Sequence, residues 1–293
     1  MSGPRLTLAV LSAVAALLLL VTSAGAREAG GGQDDACAPF TEFERDDFER
    51  PTRIDNRFLP LTPGTRYVLE GRANRGGGPL PHRVTFTVTD LTKKINGVRT
   101  LVVWDVDQNE GELVEEELAF FAQDEDGNVW NLGEYPEEFE NGEFAGAPNT
   151  WIAGLEDATA GIHMLDRPRL GASYSQGEAP QIDFLDCATV FAKGQRVCVP
   201  FNCFGGVLVT HERSPLDPAG GIQTKFHAPG VGIVQVGALD DPEGETLVLI
   251  ERRVLNPDEL LAARKAALRL DWRGHRFSEV YSHTKRAYRL RAH

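Results

Sequence analysis

The sequence lacks the short motifs that specify the commonest reactions. It has no G-x-S-x-G nucleophile elbow, no phosphate-binding Walker loop and no dinucleotide-binding G-x-G-x-x-G pattern. It has no C-x-x-C pair, and its seven histidines show neither H-x-H nor H-E-x-x-H spacing. These absences argue against serine hydrolases, nucleotide-dependent enzymes, Rossmann dehydrogenases and zinc sites, and no motif that is present specifies a reaction.

Positive charge is missing from a long central stretch. Residues 100 to 166 contain eighteen Asp and Glu but no Lys or Arg, and the whole chain has a formal net charge of −13. No nucleic-acid partner is expected, because contacts to phosphate need clustered Lys and Arg. Residues 252 to 293 are basic, with eleven Lys and Arg against four Asp and Glu. The acidic stretch is interpreted as a solvated face; the alternatives are that it attracts divalent cations or docks the basic tail.

A hydrophobic run long enough to cross a bilayer, about 20 residues, is also missing. The N-terminal apolar segment, Leu6 to Val21, follows Arg5 and precedes Ala24-Gly25-Ala26, a pattern typical of signal-peptidase cleavage sites. We therefore predict a cleavable signal peptide at residues 1–26 and a secreted or periplasmic bacterial protein with no transmembrane anchor after processing.

Cysteine is scarce, and every cysteine follows the predicted cleavage site. The four are Cys37, Cys187, Cys198 and Cys203. An even number of cysteines in an oxidising compartment favours disulfides over free thiols. The sequence therefore predicts two disulfide bonds and leaves the three pairings open.

Short β-branched runs separated by turn dipeptides make up most of the chain. One example is HRVTFTVTDL before Asn96-Gly97, a dipeptide that supplies the positive φ angles of tight hairpins. The pattern predicts a mainly β fold, a single curled or barrel-like antiparallel sheet meander of about ten to twelve strands over residues 56–254, after a flexible lead at 27–55. Asn256-Pro257 then begins an amphipathic helix in a basic helical tail over 255–293.

Carboxylates that could carry acid–base chemistry are plentiful, so no pair stands out; they include Glu117, Asp124, Glu134, Asp183 and Asp186. One alternative function is an acid–base or divalent-metal-dependent hydrolase that uses Asp124, Glu134 and Asp186. The segment beginning at Asp124 partly matches a calcium loop, but Val129 stands where the EF-hand pattern has glycine and Tyr135 where it has glutamate. A hairpin turn explains the same residues. No cofactor or metal is predicted, and a divalent cation such as calcium is kept as an alternative.

A set of segments across the β-region forms a combined pattern: FFAQDEDGNVWNLGE, TWIAGLEDATAGIHM, RPRLGASYSQ, DCATV and KFHAPGVGIV. Together they resemble a widespread family of uncharacterised secreted bacterial β-proteins, from about Phe58 to Val236. The matching residues are Asp124, Gly127, Asn128, Trp130, Gly133, Glu134, Trp151, Gly154, Met164, Tyr174, Gln176, Asp186, Lys225 and Gly230. The chain departs from the family pattern at Phe120-Phe121, Gly177 and His227. The resemblance implies no activity; at fold level it implies similarity to periplasmic lipoprotein carriers, whose curled sheet wraps a hydrophobic cavity.

The favoured function is non-enzymatic binding or carriage of an apolar small molecule or lipid. Large curled antiparallel sheets enclose cavities that alternate residues line. The candidate ligand-binding residues are Phe121, Trp130, Trp151, His163, Met164 and Tyr174. Core packing is the alternative interpretation of each of them. A third function is an envelope interaction protein whose basic tail contacts an acidic polymer or lipid head groups, and the sequence does not determine the oligomeric state.

Overall fold

A computed structural model describes residues 37–74 and 77–290. The predicted signal peptide, residues 1–26, lies outside the described residues, as does the first part of the predicted lead. Among the helices described, none is long and apolar enough to span a membrane.

Antiparallel strands dominate the described chain. In chain order they are β1 (Thr65–Asn74), β2 (Pro79–Ile95), β3 (Val98–Asn109), β4 (Glu112–Gln123), β5 (Val129–Glu140), β6 (Glu143–Gly146), β7 (Trp151–Ile152), β8 (Thr159–Met164), β9 (Ser173–Ala179), β10 (Phe184–Cys198), β11 (Cys203–Arg213), β12 (Ile222–Ala228), β13 (Gly232–Leu239), β14 (Thr246–Val254) and β15 (Tyr288–Arg289). Short 3-10 turns occur at Arg45–Asp47, Pro180–Ile182 and Pro218–Gly220.

The strands form a closed sheet. Twelve of the strands described follow the order β1-β14-β13-β12-β11-β10-β9-β8-β5-β4-β3-β2, and β2 pairs back with β1 to close the ring. Strands β6 and β7 pair with β5, and β15 pairs with β2. The β2–β3 hairpin turns at Asn96 and Gly97, whose φ angles are 43° and 88°. This architecture confirms the predicted mainly β, barrel-like antiparallel sheet.

Both faces of the sheet are covered where it meets the C-terminal helices. Successive side chains of a strand point to opposite faces, so Glu117 and Phe121 of β4 line the inside of the barrel, whereas Phe120 points outward. The helix α1 (Pro257–Phe277) packs outside, over β2 and β4, and the short helix α2 (Glu279–Ser282) follows it. The barrel wall is therefore packed on both faces in this region.

The helical tail is held by caps, packing and ion pairs. Asn256 and Glu259 form a capping box that satisfies the free N–H groups at the start of α1. The buried face of α1 consists of Ala263, Ala266, Ala267, Leu270, Asp271 and Gly274. Arg264 donates to Asp90 at 2.8 Å, and Arg273 donates to Glu137, within the acidic stretch, at 2.7 Å. The tail thus lies on its own barrel.

The described part of the predicted lead, residues 37–55, contacts the barrel. Phe43 and Phe48 pack edge-on against Trp130, with ring centroids 5.5 and 6.0 Å away. The following loop is organised by Asn56, whose side-chain oxygen accepts from the N–H groups of Phe58 and Leu59. This loop brings apolar side chains to one end of the barrel interior.

Two disulfide bonds join the four cysteines, as predicted. Cys37 is bonded to Cys187 of β10, which ties the N-terminal segment to the barrel wall. Cys198 is bonded to Cys203 across the β10–β11 turn. The structure thereby selects one of the three pairings that the sequence left open.

Candidate functional site

The barrel encloses a cavity of about 260 Å³. Most of its wall is apolar and comes from the loop before β1 and from β1, β2, β4 and β13. The apolar lining residues include Leu59, Leu61, Tyr67, Leu69, Phe86, Phe121, Ile233, Val236 and Leu247. The ionisable and polar lining residues are Asp105, Glu117, Glu134, His163, Gln223, Lys225 and Glu245. The cavity is therefore amphipathic.

Strand register explains why apolar and acidic side chains lie in one row across neighbouring strands of the cavity wall. Directly paired residues on neighbouring antiparallel strands project from the same face. Tyr67 of β1 pairs with Phe86 of β2, Phe86 with Asp105 of β3, and Asp105 with Glu117 of β4. Four adjacent strands thus present two aromatic rings followed by two carboxyl groups.

The two carboxyl groups of this row are unusually hard to ionise. Burial raises the pKa of Asp105 to about 8, and the neighbouring Asp107 adds to the effect. Burial also raises the pKa of Glu117 well above its usual range, as does Glu134. Asp105 accepts the N–H of Val106 at 2.7 Å, whereas no described residue donates a hydrogen bond to the carboxyl group of Glu117.

An ion pair lies on another part of the cavity wall. Lys225 of β12 is 2.6 Å from Glu212 of β11. Burial alone would raise the pKa of Glu212, but Lys225 lowers it to about 2. Thr210 donates to Glu212 at 3.1 Å, and its oxygen lies 3.1 Å from Nε2 of His227, which can therefore be the donor. The positive charge of Lys225 is accordingly balanced by the carboxylate of Glu212.

Two buried histidines flank this pair in their neutral form. Burial lowers the pKa of His163 to about 4 and that of His227 to about 3. The His163 ring lies edge-on to Phe121, with centroids 5.1 Å apart. Near them, burial and then Glu134 raise the pKa of Asp186 to about 7. These groups add polarity to the cavity without adding positive charge at neutral pH.

A third histidine lies where the polar end of the cavity approaches the β1–β2 hairpin. His82 is fully buried; its Nδ1 is 2.8 Å from Oδ1 of Asn109, and its Nε2 is 2.9 Å from Glu245. Burial opposes protonation, but Glu245 and Asp107 raise the pKa of His82 above its ordinary value. Glu245 thus has two partners within the protein, His82 and Gln223, which donates to it at 2.6 Å.

The six sequence-predicted ligand-binding residues are placed in different environments. Phe121 and His163 line the cavity. Trp151 donates its indole N–H to Glu134 at 3.0 Å, and Tyr174 is buried with its hydroxyl near Glu212. Met164 is fully buried next to Val129, and Trp130 packs on the N-terminal segment. Of these six described residues, Phe121 and His163 belong to the cavity wall.

The three carboxylates of the hydrolase alternative, Asp124, Glu134 and Asp186, do not lie together in one site. Glu134 lines the cavity, and Asp186 is close enough to Glu134 for the two charges to interact. Asp124 belongs to the β4–β5 turn, where its carboxylate accepts from Asn128 and Trp130. Within the described residues, no three His, Cys, Asp or Glu side chains are grouped so that they could hold a metal ion.

Sequence reasoning missed Asp105 and Glu212 as site residues, and it named Glu117 only as one of several carboxylates available for acid–base chemistry. Asp105 and Glu117 did carry a signal, because Asp105-Val106-Asp107 and Glu115-Glu116-Glu117 place acidic residues two apart, as on one face of a strand. That pattern does not show which face of the sheet points into the barrel.

The pKa shifts predict a measurable pH dependence of stability. An Asp105 pKa of about 8 means that between pH 4 and 8 the folded state keeps a proton that the unfolded state has lost, so stability falls as pH rises. Between pH 6 and 8, Asp105→Asn should therefore gain stability relative to wild type by about 1.4 kcal/mol per pH unit. Urea unfolding at both pH values measures this difference.

A matched control for that experiment is Glu112→Gln, at the exposed start of β4. Its stability relative to wild type should not change with pH, since its side chain is solvated in the folded and unfolded states. A constant difference between Asp105→Asn and wild type from pH 6 to 8 would contradict the burial of an ionisable Asp105.

Comparisons with known proteins show a distant structural likeness. No family model and no curated protein matches the chain. One solved structure is a candidate exported protein of Bacteroides fragilis with a YmcC-like fold, with a TM-score of 0.35 and 12% identity. Another is a candidate lipoprotein of Parabacteroides distasonis, with a TM-score of 0.36 and 15% identity. Each alignment covers 68% of this chain and 99% of the other chain, and at such scores neither carries an argument about function.

Proposed function

We propose that this chain is an exported protein that binds a small, largely apolar ligand inside its closed sheet. The observation that carries the proposal is the cavity of about 260 Å³ with its mainly apolar wall. Protein interiors are normally packed as densely as organic crystals, and voids much larger than a water molecule are few. An apolar chamber with a small number of polar groups is the usual form of a small-molecule site.

The size and lining of the cavity define the ligand class. Small-molecule pockets range from about 300 to 1,000 Å³, so a cavity of about 260 Å³ lies just below that range and suits a small ligand. Aromatic and aliphatic side chains such as Tyr67, Phe86 and Leu247 offer burial for a hydrocarbon body. Export rests on the predicted signal peptide and agrees with the two disulfides, which persist in oxidising compartments.

Filling the cavity should abolish ligand uptake. Ala119 lines the cavity, and Ala119→Leu adds a branched side chain to that space. We expect this variant to bind a fluorescent apolar probe at least tenfold more weakly than wild type, measured by titration. Ala262→Leu makes the same change at an exposed position of α1 and should leave probe affinity unaltered.

The outcomes of this titration separate the interpretations. Unchanged affinity in Ala119→Leu would place the probe elsewhere and contradict the proposal, as would an absence of probe binding by a folded wild-type protein. Far-ultraviolet circular dichroism establishes that each variant is folded before it is titrated.

The second candidate is acid–base catalysis at Glu134 of the cavity wall and its neighbour Asp186. It is favoured by Asp186, whose pKa of about 7 suits proton transfer near neutral pH, beside Glu134. Native mass spectrometry distinguishes the two functions. If the bound ligand is released with the mass that it had when it was added, the result supports binding. If it is released with a different mass, the result supports catalysis.

A further inference from the structure

We propose that the ligand carries a primary ammonium group, which binds between Asp105 and Glu117 while its hydrocarbon part lies against the aromatic and aliphatic wall. This inference rests on the proposed binding function and names its ligand class. It is carried by the position of the two carboxyl groups in the cavity and by the absence of a partner for one of them.

The cavity wall contains more acidic groups than the protein itself can match. Lys225 is paired with Glu212 at 2.6 Å, and Glu245 is contacted by His82 and Gln223. Glu134 accepts hydrogen bonds from Asn131 at 2.6 Å and from Trp151 at 3.0 Å. After these pairings, Asp105 and Glu117 are the lining carboxyl groups that receive no hydrogen bond from a described side chain and form no ion pair with one.

Glu117 is the strongest single indication. It is partly buried, and it belongs to the cavity wall. Polar groups removed from bulk water usually have hydrogen-bond partners. A ligand that donates hydrogen bonds from the cavity would supply the missing partner.

The geometry favours one nitrogen shared by both carboxyl groups. Asp105 and Glu117 are directly paired residues of β3 and β4, and side chains at such positions start about 4.5 to 5.5 Å apart. A primary ammonium is a compact charge with three N–H donors, so it can contact two acceptors at that spacing. The pKa values of both carboxyl groups are raised by burial, and a cation placed between them would favour their ionised forms.

The rest of the same row fits the other end of such a ligand. Phe86 is paired with Asp105, and Tyr67 is paired with Phe86. An aromatic face close to the carboxylates can also attract the cation itself. A carboxylate ligand, by contrast, would bring a negative charge into a cavity whose cation, Lys225, is already engaged by Glu212. The cavity should therefore select amines over acids.

Three ligands of equal chain length test this inference: n-octylamine, n-octanol and n-octanoate, each competing with the apolar probe at pH 7. We expect octylamine to bind at least tenfold more tightly than octanol, and octanoate to bind more weakly than both. Glu117→Gln should reduce octylamine affinity at least tenfold and leave octanol affinity within twofold of wild type.

Glu116→Gln is the matched control, because Glu116 is the next residue on β4, faces outward and accepts from Trp104. It should keep the preference for the amine. If Glu117→Gln fails to fold, the amine-to-alcohol affinity ratio of Asp105→Asn provides the same comparison. Equal affinities for octylamine and octanol in wild type would overturn the amine inference and leave the binding function standing. If none of the three ligands displaces the probe, the proposed binding at this cavity fails as well.

Discussion

Asp271→Asn should destabilise the protein by about 3 to 5 kcal/mol, because it leaves a buried ammonium group without its counter-charge. Lys93 of β2 is fully buried and Asp271 of α1 is 3% exposed, and the two are 2.8 Å apart. Burial lowers the pKa of Lys93 to about 8 even with Asp271 beside it. Asp271 also accepts from Tyr281 at 2.9 Å, so this contact joins β2, α1 and α2.

The double variant Lys93→Met with Asp271→Asn tests whether the buried charge is the cause. Asn retains an oxygen that can accept from Tyr281, and Met fills the space of the lysine stem without its charge. We expect the double variant to regain most of the stability lost by Asp271→Asn in guanidinium unfolding. Arg53→Ala, which removes an exposed ion pair with Asp55, should leave stability unchanged. Equal losses in the single and double variants would contradict this explanation.

Removing the disulfide between Cys37 and Cys187 should cost about 5 kcal/mol, whereas removing the one between Cys198 and Cys203 should cost about 2 kcal/mol. The reason is loop length: the first bond joins residues 150 positions apart and the second joins residues 5 positions apart. A bond that closes a longer loop removes more conformational freedom from the unfolded chain.

The two double Cys→Ser variants are natural controls for each other, since each removes one disulfide and adds two hydroxyl groups. Their free energies of unfolding, measured in urea under non-reducing conditions, should differ by about 3 kcal/mol. A larger loss for the Cys198–Cys203 variant would mean that local structure at the β10–β11 turn outweighs the chain entropy.

The candidate site shows how well the alternation of side chains along a strand predicts which residues line the cavity. Phe121 was predicted to line a cavity and does so, but Trp130 lies on the N-terminal segment although it belongs to the same kind of strand. Register shifts interrupt the alternation, for example in β2 between Val88 and Thr92, and in β5 between Asn131 and Glu134. Each such irregularity changes which residues face inward, and nothing local in the sequence states where it occurs.

The sequence by itself determined the features that depend on near neighbours. Turn dipeptides such as Asn96-Gly97 established the hairpins, and Asn256 with Glu259 established the start of α1, because these interactions span only a few residues. The tertiary structure alone decided that Glu117 lies beside Asp105 on neighbouring strands and that Lys225 is matched by Glu212. Those relations follow from the closure and register of the sheet, which set the distances between residues far apart in the chain.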